Sequence, residues 1–539
     1  MVKLDSPIMP AFGRRGAVLA ALALVLLAYC GLASLTAASR RPAPDEGLFA
    51  SPAITLITKG YMGTPIRGSS AGLPGLERRT YWVMPLHLVL LAGWYKVFGI
   101  GLLQMRLLSI LWGMVGLVAL FTLVWKLTRD VRAAGLAAAL TATDFVYVTF
   151  SSSGRMDGMA AALGFAGLAV YCSLRERNLL RAMLLGHILV AAAIFTHPNG
   201  ILFFAGLMFL TIALDRRRIR FAYLAAGSTP YLAGAAAWGL YIMQAPHDFV
   251  AQMWAQIRGK SGGNLAFSPL EFIRREVVNR YLVAYGLGPH SSGVAGPVAL
   301  KAIVLAAYVA AALVLLGNRE LRRNRGCQLL LGLTGLVFAI MTFFNEKLTC
   351  YLLDITPLYS AILAVAMLWL YRRGRVARAA AILSFAAVLT VQAGGLLLRS
   401  RLNLYARQFI PAAEFVKHRL HPGMTVMASA DFGFGIGFDQ LTDDGTLGFY
   451  SHTLPDLIVV DEMYLDVFDG HRRQRPAIYR YVSRTLREDY TLIYDHEYYK
   501  VYERRPGEPS GSPDHGVQSG QMLNKNRRSP GFAGVAVAV

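Results

Sequence analysis

Charge is scarce in this chain. Only 16% of its 539 residues are Asp, Glu, Lys or Arg, while 55% are hydrophobic and the mean hydropathy is +0.43. A water-soluble globule of this size is about one-quarter charged, so an ordinary soluble fold is excluded and the bilayer is the main solvent. Acidic residues are scarcer than basic ones, 32 against 54. There are four cysteines, Cys30, Cys172, Cys327 and Cys350, each in or beside an apolar stretch, which excludes a disulfide framework and a CxxC metal knuckle. HExxH, Walker and GxSxG patterns are missing, so zinc protease, ATPase and serine hydrolase find no support. Apolar runs of membrane-spanning length are missing after Arg401.

Before that point such runs recur. A spanning helix needs roughly 20 apolar residues, and hydropathy predicts eleven spans, near 17–38, 103–126, 133–152, 158–174, 182–196, 198–214, 221–243, 296–316, 327–344, 351–371 and 377–397. The first is too long for a signal-peptide core and is read as uncleaved. The segment Val83 to Gly99 carries His87, Trp94, Tyr95 and Lys96, which suits a helix lying at the interface. Segments between spans alternate in charge. Lys126 to Arg132, Arg175 to Arg181, Arg216 to Arg220, Arg319 to Arg325 and Arg372 to Arg378 are dense in arginine and belong in the cytoplasm by the positive-inside rule. The others, including long loops at 39–102 and 244–295, then lie outside. This distribution accounts for most of the formal charge of +22, so no nucleic-acid partner is called for.

The expected architecture is a polytopic α-helical membrane domain over 1–400, a small extracytoplasmic α/β domain over 401–505 and a disordered tail over 506–539. In the second domain a helix is predicted from Leu404 to Leu420, strands at Thr425 to Ala430 and Leu457 to Asp461, and a hairpin from Tyr490 to Glu503. Gly433, Gly435 and Gly437 alternate, but no helix follows at dinucleotide-site spacing, and they read as a turn.

The informative polar residues all fall on the predicted outer side. Asp45-Glu46, just past the first span, can supply a general base or ligands for a divalent metal, or be a solvated acidic pair. Arg155 and Asp157 sit in a tight turn between spans, where ionisable groups are costly; Arg155 can hold a phosphate, or the two can pair and snorkel. Lys347, in Asn345-Glu346-Lys347, offers a point charge with Tyr351 one helical turn on, though interfacial Lys and Tyr are also routine anchors. His197 stands in the polar break Thr196-His197-Pro198, as a ligand or a turn residue.

Taken in order, Asp45-Glu46, Lys59-Gly60-Tyr61, Tyr81-Trp82 with Pro85-Leu86-His87, Trp94 to Gly99 with Arg106-Leu107, Arg155-Met156-Asp157 and Lys347 to Pro357 resemble membrane glycosyltransferases of the GT-C fold. The nearest groups are the protein O-mannosyltransferases and the lipid A aminoarabinose transferases. The resemblance implies a polyprenyl-phosphate-sugar donor and inverting transfer, with Asp45 as the catalytic acid of the first outer loop and Asp157, or Arg155 beside it, as the second outer-loop site. Glu46, Arg155, Lys347, Tyr351, His197 and Arg106 would serve donor phosphate or substrate. It also implies a glycan, lipid or protein acceptor and a place in the inner membrane. One departure matters: where the aminoarabinose enzymes have Lys-Pro-Pro, this chain has Trp82-Val83-Met84-Pro85, so Arg155, Lys347, Arg78 or Arg79 must take over the phosphate. The rival class is a transporter or flippase, which would place its polar residues near the midplane, often among repeats. No repeat is found.

Overall fold

A computed structural model of the chain describes residues 12–67, 73–260, 268–288 and 299–506. The expected disordered tail lies, apart from its first residue, outside them. In chain order the principal helices are α1 (Phe12–Ser39), α2 (Pro44–Lys59), α3 (Pro85–Phe98), α4 (Leu102–Thr128), α5 (Val131–Ala142), α6 (Phe145–Ser151), α7 (Asp157–Leu174), α8 (Leu179–Thr196), α9 (Gly200–Asp215), α10 (Phe221–Ile242), α11 (Pro246–Lys260), α12 (Pro269–Arg275), α13 (Ala302–Gly317), α14 (Arg325–Thr342), α15 (Thr356–Tyr371), α16 (Arg375–Leu402), α17 (Ile410–Arg419), α18 (Glu462–Gln474) and α19 (Pro476–Glu488). They fall into two compact units. Of the described residues, the first is built from those within Met1–Arg40, Met84–Tyr241 and Ser268–Asn403; the second from those within Arg41–Val83, Ile242–Phe267 and Leu404–Val539.

The first unit is a helical bundle, and each of the eleven predicted spans meets helix in it. Six of the described helices are long and apolar enough to cross a membrane, or seven if α5 and α6 count as one. α10, on the predicted span 221–243, has the length at 22 residues but is not among them, and the other apolar helices are shorter. At 16 residues each, α9, α13 and α15 are about 24 Å long, against a hydrocarbon core of roughly 30 Å. The predicted span 133–152 is not continuous: α5 and α6 meet at 65°. Asp144 causes the break, because its carboxylate accepts the Tyr147 N–H at 2.8 Å and so starts a new helix. The same carboxylate receives Tyr308 Oη at 3.0 Å and Gln392 Nε2 at 2.6 Å, tying α6 to α13 and α16. Close helix contacts use glycine; a Cβ on Gly167 of α7 would stand 2.9 Å from the Gly186 carbonyl of α8.

The five arginine-rich segments come together at one end of this bundle. Arg129 pairs with Glu176, Arg372 with Asp130 at 2.8 Å, Arg373 with Glu320, and Arg175 with Asp215, while Arg325 donates to the Ala213 carbonyl. The turns 152–156 and 197–199 are at the far ends of α7 and α8 from that layer.

The second unit is built on a five-stranded sheet. Its strands are β1 (Val426–Met427), β2 (Leu441–Thr442), β3 (Leu457–Val460), β4 (Tyr490–His496) and β5 (Tyr499–Arg504), in spatial order β2-β1-β3-β5-β4. β1 runs parallel to both neighbours, and β5 is antiparallel to β3 and β4. The hairpin and both predicted strands are present, though β1 is shorter than predicted and β2 was not predicted. The glycine-alternating stretch is a single helical turn closed by Gly437 at φ 96°. Loop 41–83 is part of this unit. Leu48 and Ile66 are buried in one apolar core with Phe409, Val426, Phe432 and Val459, and the Asp443 N–H donates to the Ile66 carbonyl at 2.7 Å.

Candidate active site

The first unit gathers four of the predicted residues at one place. The turn after α6 presents Arg155, whose Nε donates to Asp157 Oδ2 at 2.8 Å. Asp157 opens α7, where a carboxylate favours the helix N-terminus. His197, the residue ending α8, places Nε2 3.9 Å from Asp157 Oδ1. Its Nδ1 accepts the Asn199 N–H at 3.1 Å, so the ring proton belongs on Nε2, toward the aspartate. Tyr351 packs its ring 5.5 Å from that of His197, and Cys350 Sγ lies 3.5 Å from Arg155 Nη2. Asn199 also donates to the buried Asp354 at 2.9 Å. Burial opposes the charge of Arg155, but the adjoining Asp157 carboxylate, with Cys350 and Tyr351 adding to it, offsets that cost and keeps the guanidinium charged.

Lys347 is engaged differently from the free point charge expected of it. Its Nζ donates to Glu276 Oε2 at 2.7 Å and to the Thr342 carbonyl at 2.7 Å. Arg280 donates to the other oxygen of Glu276 at 2.6 Å and to the Glu346 carbonyl at 2.8 Å. Glu276 and Arg280 are 0% exposed and Lys347 3%. Burial pushes Lys347 below the usual lysine range, against the pull of Glu276. Two cations sharing one carboxylate leave this trio with a net positive charge. Glu276 begins a π-helical segment, Glu276–Leu282, an irregularity that recurs at functional sites.

Arg106 is buried and donates Nη1 to the carbonyls of Ala37 and Arg40, at 2.6 and 2.9 Å. It closes the end of α1, where carbonyls lack helical partners, which is a structural task. Asp45 and Glu46 belong to the second unit, in the first turn of α2. Glu46 is fully buried, and its Oε2 accepts the Ala43 N–H at 2.8 Å, so it fixes the start of α2. Asp45 is half-buried. Among the described residues no group of three or more His, Cys, Asp or Glu side chains is arranged to hold a metal ion, so no further ligand joins Asp45 and Glu46.

Glu276, Arg280, Asn199 and Asp354 were missed in the sequence. The first two carried a usable signal, opposite charges four residues apart. Asp354 gave none, because its partner Asn199 is 155 positions away.

Among solved structures, ArnT from Cupriavidus metallidurans bound to undecaprenyl phosphate aligns with a TM-score of 0.59 at 13% identity, over 90% of this chain and 98% of that one. The chain has the GT-C fold. The apo oligosaccharyltransferase of Archaeoglobus fulgidus aligns with a TM-score of 0.54 at 12% identity, over 86% of this chain and 71% of that one. The archaeal oligosaccharyltransferase AglB from the same organism, in complex with an inhibitory peptide and a dolichol-phosphate, aligns at 0.53 and 13%, over 87% and 72%. No protein-family model and no curated protein sequence matches the chain. The resemblance in sequence therefore holds at the level of the GT-C fold.

Proposed function

We propose that this protein is a glycosyltransferase that moves a sugar from a polyprenyl-phosphate carrier to an acceptor hydroxyl on the extracytoplasmic side of the inner membrane, with inversion. The observation that carries the reading is the gathering of Arg155, Asp157, His197 and Tyr351 at the ends of α7 and α8 remote from the arginine layer. Two solved proteins of the same fold were captured with undecaprenyl phosphate and with a dolichol-phosphate, which supports a lipid phosphate as leaving group.

The chemistry asks for two things. A base must take the acceptor proton as the hydroxyl attacks the anomeric carbon, and a cation must receive the charge left on phosphate as that carbon–oxygen bond breaks. Asp45 is assigned the first task and Arg155 the second, with the positive excess of Arg280 and Lys347 over Glu276 adding to the field. Asp157 and His197 hold Arg155 in place. The acceptor is a glycan, a lipid or a protein. A transporter would use a buried acid at a helix break, and Asp144 has that position, but its two oxygens are committed to Tyr147, Tyr308 and Gln392.

The test is transfer of labelled sugar from a panel of polyprenyl-phosphate sugars by the purified protein in lipid discs, with cell-envelope extract as acceptor. Wild type should consume one carrier, and a folded Asp45→Asn variant should lose about 100-fold or more in rate. An active wild type matched by the variant removes Asp45 as base. If no carrier is consumed, the transferase reading falls.

A further inference from the structure

Three aspartates and a serine stand just beyond the carboxyl ends of the parallel strands of the second unit. Ser429 and Asp431 follow β1, Asp443 follows β2 and Asp461 follows β3. All four are 2 or 3% exposed. Ser429 Oγ lies 2.6 Å from Asp431 Oδ1 and 2.6 Å from Asp461 Oδ2. A hydroxyl has one hydrogen to donate. Two carboxylates cannot both share it, and an oxygen pair at 2.6 Å with no hydrogen between is repulsive, so the second contact needs a hydrogen supplied by a carboxyl.

This bridge lies under the helix that carries Asp45. Gly47 of α2 is pressed against the backbone of Ala430, where a Cβ would stand 2.2 Å from the Ala430 carbonyl carbon and 2.5 Å from the Asp431 nitrogen. Leu48 enters the core around Phe432. Ahead of α2, Arg41 stacks 3.2 Å over the Tyr498 ring and donates to Gln408 at 2.9 Å.

We propose that the Asp431–Ser429–Asp461 bridge carries one carboxyl proton at neutral pH and thereby sets the seat of α2, so that the C-terminal sheet is the mount that positions Asp45. The second half rests on the proposed role of Asp45; the proton does not. The charged and titratable groups around the bridge are Asp443 beyond β2 with its partner Arg67, Tyr498 just ahead of β5 and Tyr499 on it, Arg41, and Glu462 and Tyr464 in the first turn of α18. Burial, followed by the charge of Asp461, holds Asp431 well above the usual carboxylate range, and burial raises Asp461. With raised values in the folded state, the bridge stabilises fully in acid. That stability declines as pH rises from the ordinary carboxylate range to the raised value, because only the folded state keeps the proton in that window.

Infrared difference spectra of the full-length protein in lipid discs at pH 7 test the proton directly. A protonated-carboxyl band that shifts in D2O and vanishes in Asp431→Asn or Asp461→Asn is expected; a folded wild type without it overturns the proton. The seat is tested by kinetics. Asp431→Asn, whose amide supplies the needed N–H, should keep transfer at pH 7 within about threefold and move the alkaline limb upward by about one pH unit or more. Gly47→Ala should cut kcat by about 100-fold with the KM for carrier unchanged. A Gly47→Ala enzyme with wild-type kcat, or a pH profile that Asp431→Asn leaves unmoved, overturns the seat. If Asp45→Asn is as active as wild type while Gly47→Ala is impaired, the mount stands and the assignment of Asp45 is what fails.

Discussion

Arg155 and Asp157 form a clasp across two residues, with Nε on Oδ2 at 2.8 Å while the second aspartate oxygen faces His197 Nε2 at 3.9 Å. Their side chains are 16% and 2% exposed, so neither charge has water enough to stand alone. Asp157→Asn should therefore destabilise the protein by about 3–5 kcal/mol, the cost of leaving one member of a buried pair. Replacing both, Arg155→Met with Asp157→Leu, should recover at least half of that loss while transfer stays abolished. Unfolding in detergent followed by tryptophan fluorescence, beside the transfer assay, separates the two effects. Transfer in the double variant would show that the clasp is only structural.

Glu276 stands between two cations, and the three side chains behave as one group. Glu276→Gln leaves Arg280 and Lys347 facing each other without a counter-charge, whereas Lys347→Met leaves Arg280 and Glu276 still paired at 2.6 Å. The first should cost about 3–5 kcal/mol and the second about 1–2 kcal/mol, the loss of a charged hydrogen bond with partial repacking. Lys347→Met should also weaken carrier binding, seen as a raised KM, because it removes the positive excess. Equal losses for the two variants would mean that Glu276 is not shared.

How much of this was legible in the sequence follows from what each feature depends on. Apolar length and the arginine segments are local, and every predicted span met helix. The break at Asp144 was less readable, since an Asp in an apolar run announces a cap only if the following amide is known to turn onto it. Arg155 and Asp157 were visible as ionisable residues at a predicted turn, where membrane depth makes them costly, His197 as a polar break and Tyr351 at the predicted outer mouth of a span. The fates of Lys347 and Arg106 were not visible. Each depends on a partner far along the chain, Glu276 for the lysine and the α1 carbonyls for the arginine. The seat of α2 on Ala430 was also out of reach, because a lone Gly47 reads as flexibility until the opposing backbone is in place.

Asn199 connects the clasp to the bundle interior. Its amide donates to Asp354 at 2.9 Å and its backbone N–H holds His197 Nδ1 at 3.1 Å. Asn199→Ala keeps the second bond and loses the first, so it should cost about 1–3 kcal/mol through the unsatisfied buried carboxyl oxygen. Rate should fall about tenfold, less than for Arg155 variants, because His197 is still oriented through the backbone. A loss as large as that of an Arg155 variant would place Asn199 against substrate.

Asp144 separates the two functional classes. In a transporter the acid at a helix break takes up or releases the coupled ion, and its neutralisation abolishes the cycle. In the transferase proposed here it is a cap and a knot, accepting from Tyr147, Tyr308 and Gln392. Asparagine is as good an N-cap as aspartate, and its oxygen can still accept from Tyr147, while its amide nitrogen faces the Tyr308 hydroxyl, which can turn to accept, and Gln392 Nε2, which must move away. Asp144→Asn should therefore lose about 1–2 kcal/mol of stability from the weaker acceptor and keep transfer within about threefold, since no transition-state contact is removed. The measurement is unfolding and transfer on one preparation. A well-folded Asp144→Asn protein that has lost all activity would move the chemistry to the α5–α6 break, and would favour ion-coupled transport over sugar transfer.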